Sequence, residues 1–265
     1  MGDKKLKLTL DDLNKYKQVS VDSIIMCTGN RRKHMNAETK VNTKGIEWET
    51  GAIGNIKWTG VLLRDILTQH GYTKDNVKGL HLISTGYDKD FQGVYFSVSI
   101  PLEMVFETDV LLALKYNDQE IPFEHGYPIR LVVPGVVGVR NTKWLKSLEI
   151  SNHEANSSFQ QKDYKLIPKD QEWEKADFSK YSPLYYLTIN SAIVKPRTGD
   201  NITDDNITIK GWAMGYKGAK IRKIELSFDE GKTWHQVNNL KYNEINGKVY
   251  GWTLWEYEKH LQNGN

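Results

Sequence analysis

The amino-acid sequence predicts an α+β domain over residues 1–185, followed by an incomplete all-β, immunoglobulin-like domain over residues 186–265. In the first part, strand-like and helix-like segments alternate without a regular βαβ rhythm, which is typical of an α+β fold. After a polar stretch that is broken by prolines, the pattern changes to short alternating strands, which is typical of an immunoglobulin-like sandwich. These strands are too few for a whole sandwich, so we expect the second domain to be partial.

Helix signals occur at three places in the first domain. The segment LTLDDLNKY predicts a short helix with an acidic first turn. VLLRDILTQHG has apolar residues at helical spacing and a helix exit at Gly71. PLEMVFE predicts another short helix that starts at Pro101. Between the helices, apolar runs predict strands at 21–27, 79–85, 93–100, 110–116, 129–133 and 146–150.

A polar and aromatic segment from about residue 160 to 190 separates the two predicted domains. It contains Pro168 and Pro183, and we expect it to be an extended linker that wraps a surface. Beyond it, strands are predicted in INSAIVKP, NITIKGWAM, KIRKIELSFD and VYGWTLWEY, with a tight turn at DEGKTW.

Composition excludes several classes of function. The formal net charge of +3 is small for 265 residues and gives no case for nucleic-acid binding, which needs a clustered basic stripe, so we expect no nucleic-acid partner. No apolar run approaches membrane-spanning length, so we expect no membrane partner. Motifs for zinc, dinucleotides, the P-loop and the serine nucleophile elbow are absent from the sequence.

The only cysteine, Cys27, ends an apolar run and opens the segment CTGNRR. Gly29 allows a sharp turn after the strand, and Arg31 and Arg32 would attract an anion. A free cysteine is commonly a small buried hydrophobe, but this setting also suits a nucleophile, a redox thiol or a metal ligand. The residues alone leave these alternatives open.

A second cluster lies in EHGYPIRLVVPGVVGVRNTKWL, where cations alternate with glycines; the cations are His125, Arg130, Arg140 and Lys143. Such a path suits a phosphorylated ligand, and the alternative is a buried strand followed by an ordinary glycine turn. Two aromatic residues outside it, Trp48 and Tyr164, could also serve a site, although packed aromatic side chains are commoner.

Taken together, these segments resemble the sulfite oxidase family of molybdenum enzymes. The resemblance runs in order through CTGNRR, GIEWETGAIGN, HGYPIRLVVPGVVGVRNTKWL, QQKDYK, INSAIVKP, ITIKGWAM and GWTLWEY. It covers nearly all of the chain from about residue 20 onward. It implies a molybdopterin-binding α+β domain followed by an immunoglobulin-like dimerisation domain.

The resemblance also implies roles for single residues. Cys27 would be the protein ligand of molybdenum. Arg32, Trp48 and Tyr164 would line the pocket for the oxyanion substrate. The residues that would contact the molybdopterin and its phosphate are Asp88, His125, Arg130, Asn141, Thr142 and Lys143.

The implied reaction is the oxidation of sulfite to sulfate at a molybdenum-molybdopterin centre. The alternatives are an assimilatory nitrate reductase-type enzyme and a non-catalytic, truncated paralogue. We expect a homodimer and an electron acceptor that is either oxygen or a separate cytochrome, since the chain has no haem segment. The family pattern extends beyond both ends, so we expect a truncated chain, and the compartment stays open between mitochondrial intermembrane space, peroxisome and cytoplasm.

Overall fold

The computed structural model describes residues 5–90, 92–168 and 171–261. Within these ranges the α-helices are short and lie at α1 (Leu10–Asn14), α2 (Arg32–Thr39), α3 (Leu63–Gln69) and α4 (Met104–Glu107). None of them is long and apolar enough to cross a membrane.

Antiparallel strands make up most of the regular structure. Up to residue 151 they are β1 (Gln18–Met26), β2 (Ile53–Leu62), β3 (His81–Lys89), β4 (Tyr95–Pro101), β5 (Leu111–Tyr116), β6 (Gln119–Glu120), β7 (Arg130–Val132) and β8 (Leu145–Ser151). After residue 189 they are β9 (Asn190–Lys195), β10 (Asn206–Met214), β11 (Glu225–Leu226), β12 (His235–Gln236), β13 (Asn239–Lys241) and β14 (Thr253–His260).

The first part of the chain contains two sheets. One has the order β1-β2-β5-β6, with β7 also paired to β5, and the second has the order β4-β3-β8. Their apolar faces bury side chains such as Ile24, Val61, Leu82 and Leu131 in one core cluster. This burial follows from the apolar runs of the sequence, because such runs form strands that are covered on one or both faces.

The later part contains a four-stranded sheet, β13-β14-β10-β9, and a two-stranded sheet, β11-β12. Trp212 and Met214, at the end of β10, pack into the same core cluster as the first two sheets. Arg31 donates to the carbonyl of Ser191 at 2.8 Å, which adds a polar link between α2 and β9. The mixed α/β architecture is therefore confirmed, while the immunoglobulin-like arrangement and the boundary at 185/186 stay predictions.

Most element predictions are confirmed with shifted ends, and a few are wrong. The predicted helix in VLLRDILTQHG begins late, because Val61 and Leu62 continue β2 by pairing with β5. Pro101 is the last residue of β4, where it pairs with His81, and does not start α4. The strand predicted in KIRKIELSFD shrinks to β11, because Ser227 begins the hydrogen-bonded turn that follows.

Gly60 lies on β2 at a shift in its register with β5. In Gly60→Ala the new Cβ would lie 2.0 Å from the Leu112 carbonyl oxygen and 2.8 Å from the Ala113 Cα. Because both are backbone atoms of the partner strand, we expect the free energy of unfolding to fall by roughly 2 kcal/mol or more. Chemical denaturation would measure this loss in the free energy of unfolding.

Gly54→Ala is the matched control for this substitution, since Gly54 lies on the same strand. There the nearest atom is the Ile56 Cδ1 at 3.3 Å, the end of a side chain that can move. Equal denaturation midpoints for the two variants would contradict the account of the β2–β5 contact.

Candidate functional site

A groove of about 300 Å³ brings together most of the residues that the sequence analysis assigned to a site. From that set it is lined by Cys27, His125, Arg130, Asn141, Lys143 and Tyr164. The other lining residues are Ile25, Ala52, Gly138 and Val139. Segments that are more than 100 residues apart in the sequence therefore meet at one place on the surface.

Cys27 lies directly after β1 and is half-buried in the wall of this groove. Its backbone N–H donates to the Ala52 carbonyl at 2.9 Å, and its own carbonyl accepts from the Asn30 N–H at 3.0 Å. The Gly29 N–H points to the Cys27 Sγ at 3.4 Å. The turn therefore fixes the thiol at the groove, which is unlike the fully buried cysteine of the alternative interpretation.

The opposite wall is formed by the chain between β7 and β8. Hydrogen bonds from the guanidinium of Arg130 hold this chain in a folded-back loop. This side chain is buried and donates to the carbonyls of His125 at 2.7 Å and Asn141 at 3.0 Å. Its Nε has no hydrogen-bond partner among the described residues. Burial lowers the pKa of Arg130 to about 10, so the group stays charged at neutral pH.

Asn141 and Thr142 hold this wall in shape. The amide oxygen of Asn141 accepts from the Val133 N–H at 2.7 Å, and its NH₂ donates to the Val137 carbonyl at 3.1 Å. The Thr142 hydroxyl lies 2.6 Å from that of Ser84 and is buried behind the wall. Both side chains thus stabilise the loop by hydrogen bonds, and of the two only Asn141 lines the groove.

His125 and Lys143 stand at the more exposed end of the groove. The imidazole of His125 stacks on Tyr116, with ring centroids 5.3 Å apart and an interplanar angle of 10°. The Lys143 Nζ donates to the Glu124 carbonyl at 2.9 Å, which leaves further donors of the ammonium group available. Gly126, at φ +109°, permits this approach, because a Cβ there would lie 3.0 Å from the Lys143 Cα.

Tyr164 reaches the groove from the predicted linker, at the end of a π-helical turn, Phe159–Asp163. Its carbonyl accepts from the Leu184 N–H at 2.7 Å. Burial raises the pKa of Tyr164, the neighbouring Cys27 adds to the rise, and the guanidiniums of Arg140 and Arg32 oppose it. The phenol is therefore a neutral hydrogen-bond donor at neutral pH.

Besides Thr142, three predicted site residues are not in the lining of the groove. The guanidinium of Arg32 packs against Gly29 and donates to the Ile46 carbonyl at 2.6 Å. Trp48 is 43% exposed on the loop that follows α2. Asp88 lies on β3, half-buried beside the Lys143 backbone. Arg31, expected near the thiol, instead binds the Ser191 carbonyl as described above.

The lining residues that the sequence analysis missed are small or aliphatic. Ile25, Gly138 and Val139 are close in sequence to Cys27 and Asn141, so adjacency could have suggested them. Ala52 carried no such signal, because its place depends on a backbone hydrogen bond to Cys27.

The groove fits a phosphorylated cofactor that carries its own metal ligands. Arg130 and Lys143 offer positive charge to a phosphate. The Asp88 Oδ1 is buried without a hydrogen-bond partner in the described chain and could accept from the amino groups of a pterin. Burial raises the pKa of Asp88, and the nearby Lys143 opposes that rise. No three His, Cys, Asp or Glu side chains of the described residues lie together as a metal site.

Two family profiles match the chain. The profile of the oxidoreductase molybdopterin binding domain matches residues 1–159. The profile of the Mo-co oxidoreductase dimerisation domain matches residues 181–264.

Individual relatives agree with these profiles. The chain is 40% identical over 262 residues to the mitochondrial sulfite oxidase of Drosophila melanogaster, covering 96% of this chain and 45% of that protein. It is 30% identical over 260 residues to the NADPH nitrate reductase of Aspergillus niger, covering 91% of this chain and 29% of that one. Its fold is similar to the crystal structure of the sulfane dehydrogenase SoxCD from Paracoccus pantotrophus, with a TM-score of 0.74 at 23% identity, over 96% of this chain and 60% of that chain.

The chain spans about half the length of the curated sulfite oxidases that it matches, 45% to 48% in three of them. The first profile alone covers more than half of the chain, and the sulfite oxidase relatives cover nearly all of it. The chain therefore belongs to the sulfite oxidase family of molybdopterin-binding oxidoreductases.

Proposed function

We propose that this chain binds molybdenum-molybdopterin in the groove and oxidises sulfite to sulfate. The observation that carries the proposal is the meeting of the Cys27 thiol and the Tyr164 phenol in one cationic groove. A soft metal ligand, a neutral hydrogen-bond donor and several cations are the groups that an oxyanion reaction at a sulfur-ligated metal needs.

In this proposal the residues in and beside the groove have separate roles. Cys27 ligates the metal, while Arg130 and Lys143 hold the phosphate of the cofactor, and His125 and Asp88 contact the pterin. The amide of Asn141 and the buried Thr142 keep the wall in place. When bound, the cofactor supplies a metal centre for two-electron oxygen-atom transfer.

The reaction converts sulfite and water into sulfate, two protons and two electrons. Tyr164 donates a hydrogen bond to the oxyanion, and its position at the groove allows it to pass on a proton. Arg32, whose guanidinium now donates to the Ile46 carbonyl, and Trp48 line the part of the pocket that receives the oxyanion. The electrons leave to oxygen or to a separate cytochrome.

We further propose that residues 1–185 form the catalytic domain and residues 186–265 an immunoglobulin-like dimerisation domain. The match of a dimerisation profile to residues 181–264 supports this division and a homodimer. The exposed apolar side chains of β9, Ile193 and Val194, offer a surface for such an assembly.

An assimilatory nitrate reductase-type activity is the second candidate, because a fungal nitrate reductase matches 91% of the chain. Both activities would use Cys27 and a cationic pocket. The third candidate is a non-catalytic paralogue that keeps the fold alone.

Metal content and substrate tests separate these three. After expression in a host that makes the cofactor, we expect about one molybdenum per chain and sulfite-dependent reduction of an artificial electron acceptor. Nitrate-dependent oxidation of a reduced dye without sulfite turnover would favour the second candidate. A folded chain without molybdenum would favour the third.

Cys27→Ser should abolish sulfite turnover and leave the fold intact. The reason is that a hydroxyl is a poor replacement for a thiolate on a metal that prefers soft ligands. Thr28→Ser, one residue further in the exposed part of the turn, is the matched control and should keep activity. Full turnover in a metal-loaded Cys27→Ser protein would contradict the assignment of Cys27.

Tyr164→Phe should lower kcat/KM for sulfite roughly 10- to 100-fold, the value of a hydrogen bond to a charged group. Because the pKa of Tyr164 is raised, the phenol keeps its proton to higher pH than an ordinary tyrosine, and activity that depends on it falls only above that raised pKa. A pH profile of kcat/KM would show the alkaline decline lost in the variant.

Tyr181→Phe is the control, since Tyr181 lies in the same linker and donates only a 3.4 Å hydrogen bond to Gln171. An unchanged rate and pH profile in Tyr164→Phe would count against the role of Tyr164.

A further inference from the structure

A fully buried arginine, Arg140, lies directly behind the wall of the groove. Its neighbours Gly138, Val139 and Asn141 line the groove, whereas Arg140 is 0% exposed and points into the protein. Its guanidinium donates to the side-chain oxygen of Gln160 and to the Leu184 carbonyl at 3.4 Å. Both acceptors are neutral.

The positive charge of Arg140 has no carboxylate partner among the described residues. Glu154, whose charge acts on Arg140, accepts at 2.9 Å from the Tyr185 hydroxyl, and the Tyr185 ring stands 5.3 Å from the guanidinium. Burial raises the pKa of Tyr185, so the phenol stays protonated between the carboxylate and the cation. A buried ion that is not neutralised is costly, so this arrangement needs a compensating interaction.

Gln160 connects this cation to the segment that carries Tyr164. It is buried in the π-helical turn Phe159–Asp163, and Tyr164 follows that turn. Its side-chain oxygen also accepts from the Ser99 N–H of β4 at 3.0 Å, so the turn is fixed to the core. The hydrogen bond from Arg140 to Gln160 is therefore a second contact that fixes the turn.

Leu184 provides another connection on the far side of Tyr164. Its N–H donates to the Tyr164 carbonyl at 2.7 Å, and its own carbonyl accepts from the Arg140 Nε. Arg140 thus contacts the residues that hold Tyr164 from both sides. Burial raises the pKa of Tyr164, and the positive charge of Arg140 opposes that rise.

We propose that Arg140, held by Gln160, is a positioning residue for Tyr164 and keeps a positive charge behind the groove that favours a doubly charged oxyanion. The inference rests on the proposed sulfite oxidation for its substrate. It assigns a role to a pair of residues that do not line the groove.

Gln160→Glu tests the charge with little change of shape. The new carboxylate keeps the acceptor for Arg140 but neutralises its charge. Gln161→Glu is the matched control, because it adds the same charge one residue along, where the side chain contacts the Ala155 carbonyl instead of Arg140. Arg140→Lys tests the geometry, since it keeps the charge but loses the planar fork.

The first readout needs neither cofactor nor substrate. The chain is labelled with 3-fluorotyrosine, the Tyr164 resonance is assigned with Tyr164→Phe, and its pH titration is followed by fluorine NMR. Gln160→Glu should raise the pKa of Tyr164 clearly more than Gln161→Glu does. Equal titrations in these two folded variants would overturn the inference.

The second readout uses the cofactor-loaded chain. Gln160→Glu should raise KM for sulfite roughly tenfold, with a smaller change in kcat, because charge acts on anion binding. Arg140→Lys should lower kcat more than it raises KM. An unchanged KM in Gln160→Glu would overturn the inference even if sulfite is oxidised. A chain that shows the NMR shift but oxidises no sulfite would overturn the proposed function and support the link between Arg140 and Tyr164.

Discussion

The groove depends on two buried guanidiniums that have only neutral hydrogen-bond acceptors in the described chain. Arg130 binds the carbonyls of His125 and Asn141, and Arg140 binds Gln160 and Leu184. Burial lowers the pKa of each to about 10, which leaves both charged at neutral pH. Because unneutralised buried ions cost several kcal/mol each, the fold carries an electrostatic cost that an anionic ligand would offset. Arg130 begins β7 and Arg140 lies on the loop that follows it, so both cations hold the same wall of the groove in shape.

The packing of the chain explains why such a cost is tolerable. Hydrogen bonds within the loop between β7 and β8 fix its shape. The linker, which carries Tyr164, is hydrogen-bonded to this loop. Further on, Trp212 and Met214 of β10 join the core beneath the first two sheets. The later sheet therefore shares its apolar core with the two sheets of the first part of the chain.

Much of this architecture could be predicted from apolar runs, because a run such as IRLVV has few alternatives to a buried strand. Cys27 and the loop residues of the groove could be predicted from the sequence, because their motifs occur in a recognisable order. Helix α2 was missed because its residues are almost all exposed and have no apolar period; only Asn36 is buried. The hydrogen bond between Arg140 and Gln160 could not be predicted from the sequence, since it depends on a π-helical turn that has no sequence signature. The positions of Arg32 and Trp48 could not be predicted, because they depend on hydrogen bonds within loops that no sequence pattern indicates.

The central claim is that Cys27 ligates the metal in a groove shaped by these cations. Molybdenum K-edge absorption spectroscopy on the loaded chain tests it most directly, because the fine structure counts sulfur neighbours of the metal. The account predicts that Cys27→Ser retains some molybdenum with one sulfur neighbour fewer than the parent chain. An identical sulfur count in the two proteins would contradict it, since the thiolate of Cys27 would then not be a ligand.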